Sequence, residues 1–157
     1  MTVKIKAQET EVPQVVTIRK ANPRQRILVV EDDVDVRRMN TEVLIYSGYS
    51  VDTAEDGAAA WDAVQLNKYD LMVTDNKMPK LTGIELIEKL QAARMALPVI
   101  MATSARPEEK LSRSDLLQPA KTLIKPYTFN ELLAAVKEVL YAASDSLGET
   151  APLNWQI

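Results

Sequence analysis

Four polar groups in this sequence each stand directly after a short apolar run. Glu31-Asp32-Asp33 follow Ile27-Leu28-Val29-Val30, Asp75 follows Leu71-Met72-Val73-Thr74, Thr103-Ser104 follow Pro98-Val99-Ile100-Met101-Ala102, and Lys125 follows Thr122-Leu123-Ile124. The chain contains no histidine and no cysteine. Imidazole bases, thiol nucleophiles, thiolate metal sites and disulfides are therefore excluded, and chemistry falls to carboxylates, hydroxyls, lysines and a hard cation bound through oxygen. If Asp32, Asp33 and Asp75 meet, each close pair repels by roughly 4 kcal/mol at an effective dielectric near 20. A divalent cation offsets that repulsion, and an all-oxygen donor set suits Mg²⁺, which takes one or two carboxylates together with waters and phosphate oxygens. An aspartate held against such a cation, with the Lys125 ammonium opposite, is a nucleophile for a phosphoryl group, and the product is an acyl phosphate. A hydroxyl such as that of Thr103 can then hydrogen-bond a phosphoryl oxygen and carry the change into the surrounding surface.

Taken singly, each group has a plainer explanation. Asp32 or Asp33 could cap a following helix, Asp75 could make an Asx turn into Asn76-Lys77-Met78-Pro79, Thr103-Ser104 could be an N-cap, and Lys125 a surface lysine before a turn proline. The weight lies in finding all of them at equivalent places in one repeating pattern.

That pattern is an alternation of strands and helices. Residues 26–30, 71–74, 98–102 and 122–124 are nearly continuous apolar runs, as expected of strands buried on both faces, and 49–54 alternates. Between them, helical spacing links Val36, Met39, Val43 and Leu44, which stop at Gly48, and Ala58 through Leu66 form a second helix. Thr82-x-x-Glu85 and Thr128-x-x-Glu131 are capping boxes that open further helices, one with the stripe Ile84, Ile87 and Leu90, the other with Leu132, Val136, Val139 and Leu140. Residues 107–117 read as a more polar helix. Five strands alternating with five helices imply an α/β fold, a doubly wound five-stranded parallel sheet with helices on both faces. In such a sheet the ligand site lies beyond the carboxyl ends of the strands, where the four polar groups stand.

The 157 residues fit one such domain with extensions at both ends. Residues 1–25, basic and interrupted by Pro13 and Pro23, read as an N-terminal extension that is partly disordered; residues 26–142 form the domain; residues 143–157 are a C-terminal tail. A net charge of −3 argues against nucleic acid as the main partner. No apolar run is long enough to span a bilayer or to serve as a signal peptide, so the expected location is the cytoplasm, away from the membrane. The four glycines, at 48, 57, 83 and 148, make neither a dinucleotide-binding loop nor a P-loop.

From about Arg26 to Leu140 the sequence resembles the receiver domain of two-component response regulators, CheY-like and of the single-domain type. The motifs are Ile27-Leu28-Val29-Val30-Glu31-Asp32-Asp33, Val73-Thr74-Asp75 through Met78-Pro79 with Thr82-Gly83, Met101-Ala102-Thr103-Ser104 and Ile124-Lys125-Pro126-Tyr127. The resemblance implies a flavodoxin-like receiver fold in which Asp75 accepts a phosphoryl group from a partner's phosphohistidine, that partner being a sensor histidine kinase or a histidine phosphotransfer protein. It implies Asp33 as a direct Mg²⁺ ligand, Asp32 as a ligand through water and Lys77 as a ligand through its backbone carbonyl. Thr103, with Ser104 beside it, is implied as the switch hydroxyl, Lys125 as the partner of the phosphoryl group, and the Lys125–Pro126 bond as cis.

One departure is Thr122, which stands where many receivers carry a rotating aromatic residue, so relay through Thr122, Leu123 or Tyr127 is the remaining route. The expected output is a phosphorylation-dependent contact with a downstream protein of unknown identity, in a stand-alone receiver that is not an enzyme in its own right. A homodimer through Leu111, Leu116 and Leu123 is a further expectation. The alternatives are a receiver fragment of a larger regulator, or a Mg²⁺-dependent aspartyl-phosphate phosphatase or phosphotransferase; the second wants an acid two residues after the nucleophile, where Lys77 stands.

Overall fold

A computed structural model of the chain describes residues 24–104 and 118–146. Its strands are β1 (Arg26–Val30), β2 (Ser50–Ala54), β3 (Leu71–Asp75), β4 (Val99–Thr103) and β5 (Lys121–Ile124). The helices among the described residues are α1 (Val34–Tyr46), α2 (Gly57–Leu66), α3 (Gly83–Ala92) and α4 (Phe129–Ser146). The strands form a single parallel sheet in the order β2-β1-β3-β4-β5. The expected helix over 107–117, the extension over 1–23 and the tail from 147 lie outside the described residues; α4 runs on to Ser146, past residue 142 where the domain was expected to end.

The apolar runs of β1, β3 and β4 are continuous because both faces of the sheet are covered. Ile27 and Val29 of β1 join Leu71, Val73, Ile100, Ala102 and Leu123 under α1 and α4. Their neighbours Leu28 and Val30 point the other way, with Met72, Val99 and Met101, under α2 and α3. Full burial of one such side chain contributes roughly 1.5–3 kcal/mol, so the two-sided core is the dominant stabilising term. Leu123 belongs to this core, which corrects its expected place on a dimer face, and Leu111 and Leu116 fall outside the described residues.

The local signals at the helix ends appear as hydrogen bonds. In α3 the Glu85 N–H donates to Thr82 Oγ1 at 3.2 Å and the Thr82 N–H donates to Glu85 Oε2 at 2.8 Å. The second box repeats this, the Thr128 N–H donating to Glu131 Oε2 at 2.6 Å and the Glu131 N–H to Thr128 Oγ1 at 3.1 Å. Gly48 ends α1 with φ +101°, a left-handed conformation that glycine adopts without a Cβ clash. The expected stripe of α1 needs one correction. Met39 is exposed, and the buried positions of α1 are Asn40 and Leu44.

Gly83 opens α3 hard against the end of β3. Its N–H donates to Asn76 O at 3.0 Å, and a Cβ there would lie 2.7 Å from the carbonyl oxygen of Asp75 and 3.0 Å from Asn76 Cα. Both obstacles are backbone, so neither can rotate away. Gly83→Ala is expected to lower stability by about 1–3 kcal/mol, the usual cost of overpacking, measured as a fall in the midpoint of thermal unfolding.

Candidate functional site

The sheet register brings four strand ends to one rim. Val30 pairs with Thr74, Asp75 with Ala102, and Thr103 with Ile124, so Glu31, Asp75, Thr103 and Lys125 emerge side by side. The connections leave β1 in opposite directions from β3, toward β2 on one side and β4 on the other, and the crevice at that reversal is where parallel α/β sheets place ligands. Asp75, the last residue of β3, sits in this crevice nearly buried.

Carboxylate oxygens of Glu31, Asp32 and Asp75 all lie within 4.8 Å of one another. Lys125 closes the group from β5, its Nζ 3.1 Å from Asp75 Oδ2 and 3.6 Å from Glu31 Oε2. Burial of Glu31, which is 3% exposed, pushes its carboxyl up to about 7; the Asp33 N–H and Lys125 work against this rise, and Asp75 adds to it. Desolvation opposes the charge on Lys125, but its hydrogen bond to Asp75 and the fields of Glu31 and Asp75 outweigh that and raise its pKa above the ordinary lysine value. The ammonium is therefore fully charged at neutral pH. The result is an acidic crevice with the Lys125 ammonium beside Asp75 and Glu31, able to hold a divalent ion through oxygen and to stabilise an anion beside Asp75.

The predicted residues separate into those the fold brings together and those it does not. Asp32, Asp75 and Lys125 meet as described, and Thr103 lies buried at the end of β4, next to β3. Ser104 follows it, exposed. Lys77 is exposed in the loop after β3. Thr122 is half-buried in β5 opposite Met101, and the Lys125–Pro126 bond is cis.

Asp33 has a different place from the one expected. Its Oδ1 accepts the N–H groups of Asp35 at 2.9 Å and Val36 at 3.0 Å, making it the N-cap of α1, and it is not among the clustered acids. Glu31 takes the third position instead. Capping was the plainer of the two readings open to Asp32 and Asp33 in the sequence, and with α1 starting at Val34 it falls to Asp33. No sequence pattern singles out Arg37 or Asn40. Arg37 Nη1 donates to Glu31 O at 2.7 Å, and Asn40 Nδ2 donates to Tyr127 Oη at 2.9 Å, 87 residues away.

The comparisons with known proteins agree with this geometry. Residues 27–137 match the family model described as the response regulator receiver domain. Response regulator MprA of Mycobacterium sp. (strain KMS) is 35% identical over 128 residues, covering 81% of this chain and 55% of that protein, so the chain spans about half the length of this relative. Response regulator receiver protein CpdR of Brucella abortus (strain 2308) is 33% identical over 119 residues, covering 76% of this chain and 99% of that protein. Response regulator protein TrrA of Thermotoga maritima, crystallised in complex with Mg²⁺-BeF, is similar with a TM-score of 0.63 and 32% identity, over 73% of this chain and 98% of that one.

Proposed function

The chain belongs to the response regulator receiver domain family, and from that premise we propose that it accepts a phosphoryl group on Asp75 from a phosphohistidine of a partner, with Mg²⁺ bound beside it. The observation that carries this reading is the Asp75 carboxylate in the crevice, 3.1 Å from Lys125 Nζ and clustered with Glu31 and Asp32.

The donor set is hard and anionic, which fits Mg²⁺. Asp32 and Asp75, with Glu31 beside them and the backbone carbonyl of Lys77 as a further donor, would hold the ion; Asp33, expected as a direct ligand, is left out of this set because it is not among the clustered acids and its Oδ1 caps α1. When bound, Mg²⁺ neutralises charge on the phosphoryl oxygens. Within the chain, an Asp75 carboxylate oxygen attacks phosphorus in line. The bond from phosphorus to the donor imidazole nitrogen breaks, its electron pair stays on the imidazole, and an acyl phosphate remains. Lys125 then pairs with the phosphoryl oxygens in place of the free carboxylate. Thr103 would follow with its hydroxyl, and β5 feels that movement because the Lys125 N–H donates to Thr103 O at 2.8 Å.

Receiver domains act as signalling modules, and their partners include histidine kinases. No helix among the described residues is long and apolar enough to cross a membrane. MprA has nearly half its length outside the matched region, so the expectation of no nucleic-acid contact is kept for the receiver portion alone.

The test is direct. Incubation with Mg²⁺ and acetyl phosphate should add one phosphoryl group by intact mass, and peptide mapping should place it on Asp75. No adduct, or an adduct on another residue, overturns the assignment.

Metal binding should also depend on pH. A carboxyl raised from 4.5 to about 7 keeps a proton in the folded state that the unfolded chain has lost, so without metal Glu31 costs stability as pH rises through that window. A bound cation favours the ionised form and expels that proton. Mg²⁺ affinity is therefore expected to rise by up to about tenfold per unit as pH increases toward 7, and to level off above it. Titration of Mg²⁺ at a series of pH values measures this, and Glu31→Gln should flatten the slope.

A further inference from the structure

Asn40 is an anomaly of α1. It is 5% exposed, one helical turn before Leu44 on the face that packs against the sheet, where an apolar side chain would normally sit. Its amide is satisfied by one distant partner, the hydroxyl of Tyr127, at 2.9 Å. Tyr127 is half-buried against the core shared by α1 and α4 and stands two residues after Lys125, with only Pro126 between. At its other end α1 is tied to the acids: Asp33 caps it, and Arg37, three residues before Asn40, donates to the carbonyl of Glu31 at 2.7 Å. One rigid helix thus holds the backbone that carries the acid pair and, through Asn40, the loop that carries Lys125.

We infer that Asn40 is a positioning residue, which through Tyr127 fixes the loop that aims Lys125 at Asp75. This rests on the phosphoryl-acceptor reading and deepens it. A buried amide–hydroxyl pair adds little net stability over an apolar pair of the same shape, but it is directional, which an apolar contact is not. That direction matters here because Lys125 must sit within about 3 Å of both Asp75 and the incoming oxygens, and a displacement near 1 Å is enough to slow a positioned reaction strongly.

The experiment uses the full chain carrying Asn40→Leu together with Tyr127→Phe, so that neither partner is left unpaired and the fold is retained. Two readouts follow. The first is acetylation of Lys125 by limiting N-hydroxysuccinimidyl acetate, quantified by peptide mapping against the exposed Lys68 and Lys137. In the native chain Lys125 is protected by its two carboxylates; in the double variant its modification is expected to accelerate several-fold while the reference lysines stay unchanged. The second is the initial rate of phosphoryl uptake from acetyl phosphate at saturating Mg²⁺, expected to fall roughly tenfold with Mg²⁺ affinity unaltered, because Arg37 and Asp33 still hold the acid end of α1. A folded double variant with native Lys125 reactivity overturns the inference and reduces the Asn40 bond to a structural contact. Should the double variant fail to fold, Tyr127→Phe alone removes only the hydroxyl, and the same two readouts decide. If the native chain takes up no phosphoryl group, the acceptor reading falls, whereas the reactivity of Lys125 still decides what Asn40 does.

Discussion

Asp75→Asn protein is expected to take up no phosphoryl group from acetyl phosphate, a loss on the order of 10³-fold or more, since the nucleophile itself is removed. The amide matches the carboxylate in shape, so the close approach of Gly83 to the Asp75 carbonyl is undisturbed and the rim keeps its form. It carries no charge and offers no anionic oxygen to attack phosphorus. Lys125 loses its closer partner but keeps Glu31 at 3.6 Å, so its ammonium is not stranded. Folding should survive, and thermal unfolding followed by circular dichroism would confirm that the loss is chemical. Labelling that persists at the native level in this variant would place the acceptor elsewhere.

Alanine at Asp32 and alanine at Asp33 should have opposite consequences. Removing even an outer-shell partner of a metal costs roughly tenfold to a hundredfold in affinity, and Asp32 belongs to the acid cluster itself, so Asp32→Ala should weaken Mg²⁺ binding by at least that much and abolish most labelling. Asp33→Ala removes the oxygen that accepts the Asp35 and Val36 amides. Loss of an N-cap costs about 1 kcal/mol, equivalent to a fall of about 4 °C in the unfolding midpoint for a domain of this size. Mg²⁺ affinity and labelling should stay near native. Calorimetric titration of Mg²⁺ into both variants, with thermal melts alongside, gives the comparison. The reverse pattern would return Asp33 to the metal.

These neighbouring acids show where legibility stopped. Three consecutive acidic residues after β1 announce a site, but which of them faces the crevice depends on the residue at which α1 begins, because each helical residue turns the next by about 100°. The family resemblance implied both Asp32 and Asp33 as ligands, whereas the fold clusters Glu31 and Asp32 with Asp75 and turns Asp33 to the start of α1. The apolar stripe of α1 placed Met39 inward, whereas Asn40 is the buried residue. No local rule would select it, since its partner Tyr127 lies 87 residues on. Leu123, expected both in a buried strand and on a dimer face, is core, in one cluster with Leu132 and Val136 of α4.

What the sequence determined by itself was whatever depends on near neighbours. Apolar runs of strand length between helical stripes required a parallel sheet covered on both faces. Thr82 with Glu85 and Thr128 with Glu131 started their helices through bonds three residues long. Polar residues directly after apolar strands had to collect at one rim, and with no histidine or cysteine in the chain that rim was left with carboxylate and ammonium chemistry. Tertiary structure alone decided the strand order that sets Asp75 in the crevice where the connections of β1 and β3 diverge, the clustering of Glu31 and Asp32 rather than Asp33 with Asp75, and the pairing of Asn40 with Tyr127. The reason is range: caps and strand runs are settled within a few bonds, whereas the direction of a side chain at a helix start and the partner of a buried amide are settled by what packs against them from elsewhere in the chain.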